Sequence, residues 1–279
     1  MGDLAIVGDT SSRLSASDLA KLRRAVRLLE SNHLVVRMTA LFGRSFNAGA
    51  GFAARFLPQP VRAGFHGVVS QALLQAVNVA LLTMGSENGP RWQWLDRQMA
   101  SRWFGSASVA VTGAGGGAGG LASTLVEFPV TTTLMMRTIL QIARDEGEDL
   151  SSPEARLACL QVFALGGQND APDVNESSYY MLRMGMAELL TQTAGRTLVE
   201  AAPKLTAVVA TRFGVPASWK FAGQAVPAVG AATGALINVA FIEHFRQKAR
   251  GHFIVRRLER QYGQAVVQAE YSRFRSDRL

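Results

Sequence analysis

Apolar residues recur at helical spacing along most of the 279-residue chain, and this pattern predicts a mostly α-helical protein. The clearest example is the segment from Ser15 to Glu30. One face of this segment is apolar and consists of Leu19, Leu22, Val26 and Leu29. Much of the remaining surface is basic and consists of Lys21, Arg23, Arg24 and Arg27. We expect Ser17 to cap this helix, and we expect its cations to face solvent while the apolar face docks on the domain.

Proline and glycine divide the rest of the chain into further predicted helices. Pro129 begins or kinks one helix, and Gly147 ends it. A serine just before Pro153 caps the next helix, which stops at Gly166. Another helix is expected from Ser178 to Glu200. These breaks predict a bundle of consecutive helices.

Two apolar segments carry small residues one helical turn apart. The first runs from Phe104 to Met136 with Glu127 as its only formal charge, and the second runs from Phe221 to Ile242 without a charge. Their small-residue stripes consist of Gly116 and Gly120 in the first segment, and of Gly230 and Gly234 in the second. Such stripes let helix backbones approach closely, so we predict that the two helices pack together at the centre of a single bundle-like domain. The 22 uncharged residues of the second segment are also long enough to span a bilayer.

The charge of the chain is uneven. The formal net charge is +8, and between His244 and Leu279 nine Arg or Lys face three acids, which leaves +6 in that region. This excess suits an anionic lipid surface or a membrane protein complex, and the absence of any nucleic-acid module makes nucleic acid the less expected partner. Three arginines near the end of the core are candidates to bind an anion or lipid, although a solvated face would also account for them: Arg256, Arg257 and Arg260.

We divide the chain into three parts on these patterns. Residues 1–60 hold the amphipathic helix and a connector, residues 61–263 form the helical domain, and residues 264–279 form a basic C-terminal tail. The N-terminus lacks the basic and apolar regions of a secretory signal, so we expect a cytoplasmic protein.

Two pairs of strings resemble a known family. They are LMMRTILQIARDEGEDL with RLACLQVFALGG, and QAVPAVGAATGALINVAFIEHF with ARGHFIVRRLERQYG. They resemble the EcsC protein family of bacteria, in particular a proteobacterial branch, over about Val61 to Gly263. The family is named after a gene that lies beside components of an ABC transporter linked to protein secretion. The resemblance implies a bacterial, helical, membrane-associated protein, and it carries no established catalytic residue. Many relatives have an aspartate where this chain has Glu127.

Several polar residues are candidates for a functional or structural site. A carboxylate among apolar residues is costly unless it is paired, so Glu127 should find a partner such as Arg137, His244 or a helix N-terminus. A structural ion pair or a solvent-facing carboxylate is the simpler explanation of Glu127. Asn238 follows the second stripe by one turn and is expected to hydrogen-bond across to the first helix.

The sequence predicts neither a metal nor a cofactor. Glu243, His244 and His252 suggest a metal site at first, but their spacing matches no ligand pattern. The glycine run from 113 to 120 matches G-x-G-x-x-G, but no strand-rich unit follows it, so a dinucleotide site is not expected. The single cysteine, Cys159, lies in an apolar run and is expected to be a buried thiol.

These patterns predict an accessory or binding protein that is peripheral on the inner membrane. It would bind lipid or a membrane protein through the glycine-rich helices and the basic C-terminal face. Two alternatives stay open: a lipid- or peptide-directed hydrolase that uses Glu127 and His244 as acid and base, and an integral membrane protein with two glycine-rich spans. An enzyme is the less expected class because no G-x-S-x-G motif and no serine or cysteine with a nearby base is present.

Overall fold

The computed structural model describes residues 14–31, 131–167, 178–191 and 230–277. Within these ranges the chain forms six helices and no strand, which confirms the predicted mostly α-helical class. The helices are α1 (Ala16–Glu30), α2 (131–145), α3 (Pro153–Leu165), α4 (Ser178–Thr191), α5 (Gly230–Tyr262) and α6 (Gln264–Ser276). Glu127 and the first small-residue stripe, Gly116 and Gly120, lie outside the described residues.

Helix α5 is the axis of the described bundle. It has 33 residues, which corresponds to a length of about 50 Å at 1.5 Å per residue. Helices α1, α3 and α6 pack directly against it, and α4 packs on α3. Buried apolar side chains of α5 point to more than one side, and they include Phe241, Phe245, Ala249, Phe253, Val255 and Leu258. A helix that is covered on several sides belongs at the centre of a bundle.

Helix α1 crosses α5 at a glycine. A Cβ atom on Gly251 would lie 2.8 Å from Cγ of Leu29 and 3.1 Å from the carbonyl oxygen of Ala25. The absence of a side chain therefore permits the close approach of the two helices. Gly230 and Gly234 were predicted to permit such contacts, but the surroundings of these two glycines lie outside the described residues.

The first helix is capped by Ser15 rather than by Ser17, so the predicted cap was wrong. The helix begins at Ala16, and the extended backbone of Ser15 lets its Oγ accept a hydrogen bond from the N–H of Asp18 at 3.1 Å. Ser17 lies inside the first turn, where its hydroxyl cannot fill that role. The four basic residues of α1 are exposed and its apolar face is covered, as expected.

The breaks around α2 and α3 follow the sequence pattern. Gly147 has a φ of +78°, a conformation that glycine adopts at little cost, and α2 ends just before it. Ser152 caps α3 by accepting a hydrogen bond from the N–H of Ala155 at 3.1 Å. At Gly166 a Cβ atom would overlap the ring of Phe245, so the end of α3 can rest on that ring only with a glycine there.

Residues 264–276 of the predicted basic tail, which spans 264–279, form helix α6. Its Val267, Tyr271 and Phe274 are buried in the common core, where α6 contacts both α1 and α5. Among the described helices, none combines the length and the hydropathy needed to cross a bilayer.

Candidate functional site

The three arginines that were predicted to bind an anion lie on α5 against an acidic loop. Arg256 donates from Nε and Nη2 to the carboxylate of Glu148 at 2.8 and 3.0 Å. Arg260 bonds to the same carboxylate and donates to the carbonyl of Glu146 at 2.7 Å. Arg257 forms an ion pair with the carboxylate of Glu146 at 2.5 Å. All three guanidinium groups are therefore engaged by the loop between α2 and α3.

This pairing lowers the net positive charge that the three arginines present to a ligand. Burial alone would raise the pKa of Glu148, but the hydrogen bonds and charges of Arg256 and Arg260 lower it below its ordinary value. The carboxylate therefore stays ionised, and three arginines with two carboxylates leave a formal net charge of +1. The side chains of Arg257 and Arg260 remain 35% and 41% exposed. Their assignment as lipid ligands stays a prediction.

A second polar network joins α4 to α5 below the surface. Arg183 donates from both terminal nitrogens to Glu259 at 2.7 Å, and one of these nitrogens also donates to the hydroxyl of Tyr179 at 3.3 Å. The same hydroxyl lies 3.0 Å from Nδ1 of His252. Among the described residues Nδ1 is the one acceptor for the hydroxyl proton, so we assign the neutral His252 tautomer with its proton on Nε2.

The surroundings of His252 keep it neutral. Burial and the charges of Arg183 and Arg256 hold its pKa well below the usual range, and the opposing contact with the backbone of Ala158 is weaker. The side chain is fully buried. His252 thus serves as a fixed acceptor for Tyr179, whose ring also stacks on Tyr271 at 5.2 Å.

His244 lies on α5 beside the end of α3, more than two helical turns along α5 from His252. Its Nε2 is 2.9 Å from the carbonyl oxygen of Gly166, and because a carbonyl can only accept, this nitrogen carries a proton. The residue is buried. Its proposed acid–base partner, Glu127, lies outside the described residues. Arg137 lies half-buried on α2.

The remaining candidate residues from the sequence are Asn238, Glu243 and Cys159. The contacts predicted for Asn238 fall outside the described residues. Glu243 pairs with Arg246 at 3.4 Å, and within the described ranges no group of three His, Cys, Asp or Glu residues could hold a metal ion. Cys159 is buried, as expected, and burial raises the pKa of its thiol.

Helix α1 separates its charges between two sides. Its acids face inward, since Asp18 accepts a hydrogen bond from Tyr262 at 2.8 Å and Glu30 accepts one from Tyr271 at 2.7 Å. Buried Lys248 of α5 donates to the carbonyls of Ser31, at 3.1 Å, and of Leu29 at the end of the helix. A cation at this position satisfies terminal carbonyls and complements the helix dipole.

The arginines of α1 face outward and meet an arginine of α6. We define the α1–α6 basic face as Arg23, Arg24, Arg27 and Arg273, all exposed. The guanidinium carbons of Arg23 and Arg273 lie 4.9 and 5.7 Å from the ring centroid of Phe274, so the two helices contribute to one surface. Arg273 pairs with Glu270 at 3.3 Å, whereas Arg23, Arg24 and Arg27 form no ion pair with a described residue.

Sequence reasoning missed the partners that organise these sites. The Glu148–Arg256 pair spans 108 positions and the Arg183–Glu259 pair spans 76. Lys248 bonds to a carbonyl 219 positions away. The strings that carry these residues contain no local signal for such pairing, because each partner is supplied by a distant segment.

Comparison with known proteins gives one match. Residues 93–258 match the profile of the EcsC protein family. This range includes α2, α3, α4 and most of α5, while α1 and α6 lie outside it. No curated protein and no solved structure shows significant similarity to the chain. Because the match covers more than half of the 279 residues, the chain belongs to the EcsC protein family.

Proposed function

We propose that this protein is an accessory binding protein that attaches to the cytoplasmic surface of a bacterial membrane through the α1–α6 basic face. The observation that carries the proposal is the separation of charge on α1. Its two acids are bonded to tyrosines of the core, and its arginines at 23, 24 and 27 are exposed and form no ion pair with a described residue. A helix held in this way presents cations to a negative surface without its own acids opposing them.

The basic face is a better lipid-binding surface than the arginines of α5. The stretch 256–260 is opposed by Glu146 and Glu148, and a lipid phosphate would have to compete with these carboxylates. The α1 arginines have no such competitor among the described residues. We therefore propose that lipid contacts α1 and α6 rather than the C-terminal half of α5.

The expected affinity follows from simple electrostatics. A basic residue near an anionic membrane surface contributes about 1 kcal/mol, so three arginines correspond to about a hundredfold in binding. The contribution decays within a Debye length, about 8 Å at physiological salt. Binding through this face should therefore weaken as salt is raised and should require anionic lipid.

Vesicle sedimentation tests the proposal. The native chain and the triple variant R23Q/R24Q/R27Q are compared on vesicles of phosphatidylcholine with and without phosphatidylserine. The native chain should bind only the vesicles with phosphatidylserine, and the triple variant should bind them about a hundredfold more weakly. Equal binding by both chains would contradict the proposal, as would binding that ignores lipid charge.

Single substitutions supply a matched control. Arg24 and Arg144 are both exposed arginines, but Arg144 lies at the end of α2. Arg24→Gln should weaken vesicle binding about fivefold and Arg144→Gln should leave it unchanged. If the native chain binds native membranes but no protein-free vesicle, the partner is a membrane protein and the lipid proposal is wrong.

Catalysis is not the function that the described geometry favours. His244 is buried and bonded to a backbone carbonyl, and His252 is buried and neutral. Both histidines are thus engaged in holding helices together. We therefore propose binding rather than hydrolysis.

A further inference from the structure

Two arginines of the α1–α6 basic face share one aromatic ring. Arg23 of α1 and Arg273 of α6 place their guanidinium carbons 4.9 and 5.7 Å from the ring centroid of Phe274. Both distances are within the range of a cation–π contact, which extends to about 6 Å. Because both contacts are to the same ring, the two guanidinium groups are neighbours on the surface of the bundle.

The ring and the two helices hold these arginines in place. Phe274 is 6% exposed and belongs to the common core. Helices α1 and α6 contact each other, and the hydroxyl of Tyr271 on α6 donates to Glu30 on α1 at 2.7 Å. A side chain that already stacks on a fixed ring loses less conformational entropy on binding a ligand than one that rotates freely. The two arginines are therefore partly pre-organised.

Both arginines keep hydrogen-bond donors for a ligand. Arg23 forms no hydrogen bond or ion pair with a described residue. Arg273 pairs through Nη1 with Glu270 at 3.3 Å, but its side chain is 65% exposed, and an ion pair of this kind contributes little to stability. A guanidinium group is planar and can donate two parallel hydrogen bonds to a phosphate. Each arginine can therefore bind one phosphate group.

Two neighbouring arginines suit a lipid whose headgroup contains two linked phosphates. When the first phosphate is bound, the link holds the second one at a high effective concentration beside the other arginine. Lipids with one phosphate have to be recruited separately and gain no such advantage. Arg24 and Arg27 are exposed on α1 and extend the positive charge along this face, which matches a membrane surface better than a small soluble anion.

We propose that Arg23 and Arg273 together form a site for a lipid with two phosphates, of the cardiolipin type. One phosphate binds each arginine, and the glycerol that links the phosphates lies beside Phe274. This inference rests on the proposed membrane function and deepens it by naming the lipid class. Arg24 and Arg27 attract any anionic surface and do not distinguish one anionic lipid from another.

Vesicle sedimentation with cardiolipin and with phosphatidylglycerol tests the site. Phosphatidylglycerol has the same phosphate and glycerol groups but only one phosphate, so twice its molar amount gives vesicles of equal charge, which the zeta potential verifies. The native chain should bind the cardiolipin vesicles about fivefold more tightly, because only cardiolipin links the two phosphates. Equal binding to both vesicles would overturn the cardiolipin site alone. Binding to neither would overturn the proposed membrane function as well.

Single substitutions link the preference for cardiolipin to the two arginines. Arg23→Gln and Arg273→Gln should each remove the fivefold preference, and the double variant should show no further loss because one site needs both residues. Arg23→Gln leaves no described acid without its partner, so it is the cleaner of the two. Arg24→Gln is the matched control, since it should weaken binding to both vesicles equally and keep the preference. A preference that survives in Arg23→Gln, or that is lost in Arg24→Gln, would overturn the proposal.

Discussion

Two stretches of the chain share the pattern R-R-x-x-R but have opposite surroundings when folded. In 23–27 on α1 the three arginines are exposed and form no ion pair with a described residue. In 256–260 on α5 the three arginines are engaged by Glu146 and Glu148 from a distant loop. Whether an arginine can bind an outside ligand therefore depends on which acids the fold brings next to it. The spacing of arginines along a helix does not predict this.

Removal of Glu148 should have the largest effect on stability. It leaves Arg256 and Arg260 without an acidic partner, as the arginines in 23–27 are. Glu148→Gln leaves Arg256, which is 20% exposed, and Arg260, which is 41% exposed, without their shared carboxylate. Because water reaches both guanidinium groups, the free energy of unfolding should fall by about 3 kcal/mol, the low end of the range for a buried ion pair. Urea denaturation measures this loss. The folded variant should also bind phosphatidylserine vesicles more tightly than the native chain, because the guanidinium groups of Arg256 and Arg260 no longer pair with a carboxylate.

Glu146→Gln is the matched control for that change. Glu146 pairs with Arg257, which is 35% exposed, and a pair near the surface contributes less than about 1 kcal/mol. Equal losses in the two variants would show that burial of Glu148 is not what distinguishes the two stretches.

The attachment of α1 to α5 should depend on pH through Lys248. Burial lowers the pKa of Lys248 from 10.5 to about 8. Between these values the unfolded chain binds more protons than the folded chain, so the lysine's contribution to stability rises with pH in that window and is constant below it. The free energy of unfolding of the native chain relative to Lys248→Met should rise by up to about 3 kcal/mol across the window.

Taking this difference between the two chains removes the contribution of tyrosines that titrate at similar pH. Denaturant unfolding at a series of pH values provides the measurement. A difference that stays flat would mean that burial does not lower the pKa of Lys248.

The crossing of α1 over α5 should be sensitive to one methyl group. Gly251→Ala places a Cβ atom 2.8 Å from Cγ of Leu29 and should destabilise the fold by about 2 kcal/mol, because a well-packed contact must open. At Gly185 on α4 a Cβ atom would meet nothing within 4 Å, so Gly185→Ala should stabilise by about 0.5 kcal/mol. Thermal unfolding of both variants checks the opposite signs, and a stabilised Gly251→Ala would contradict the close crossing.

Loss of a hydrogen bond to one of the inward-facing acids of α1 should have the smallest effect on stability. Tyr262→Phe removes one hydrogen bond to Asp18 and should cost about 1 kcal/mol. The pKa of Asp18 is lowered to about 2, first by the hydrogen bond from Lys21 and then by that from Tyr262. It should therefore rise in the variant but stay below its ordinary value. An NMR titration of the Asp18 carboxyl group measures this pKa. An unchanged pKa would show that Tyr262 does not hydrogen-bond to Asp18.

Much of the local structure was predictable because local physics determines it. The helical periodicity, the end of α2 at Gly147 and the cap before Pro153 follow from residues within a few positions of one another. The error at Ser17 was a shift of two positions, since two neighbouring serines both suit a cap and only the start of the helix selects one. The tail assignment failed to anticipate α6 because Val267, Tyr271 and Phe274 form only a sparse apolar face among polar residues.

The sequence alone determined the helical class, the family membership, the buried thiol and the positions where several helices begin and end. The tertiary structure decided which helix is the axis, which glycine permits a close crossing, and which arginines face solvent. These depend on contacts between segments that are up to 219 positions apart, such as the bond from Lys248 to the carbonyl of Leu29. The energy of a charge is set by the burial and partners around it, and a residue's neighbours in sequence do not contain that information.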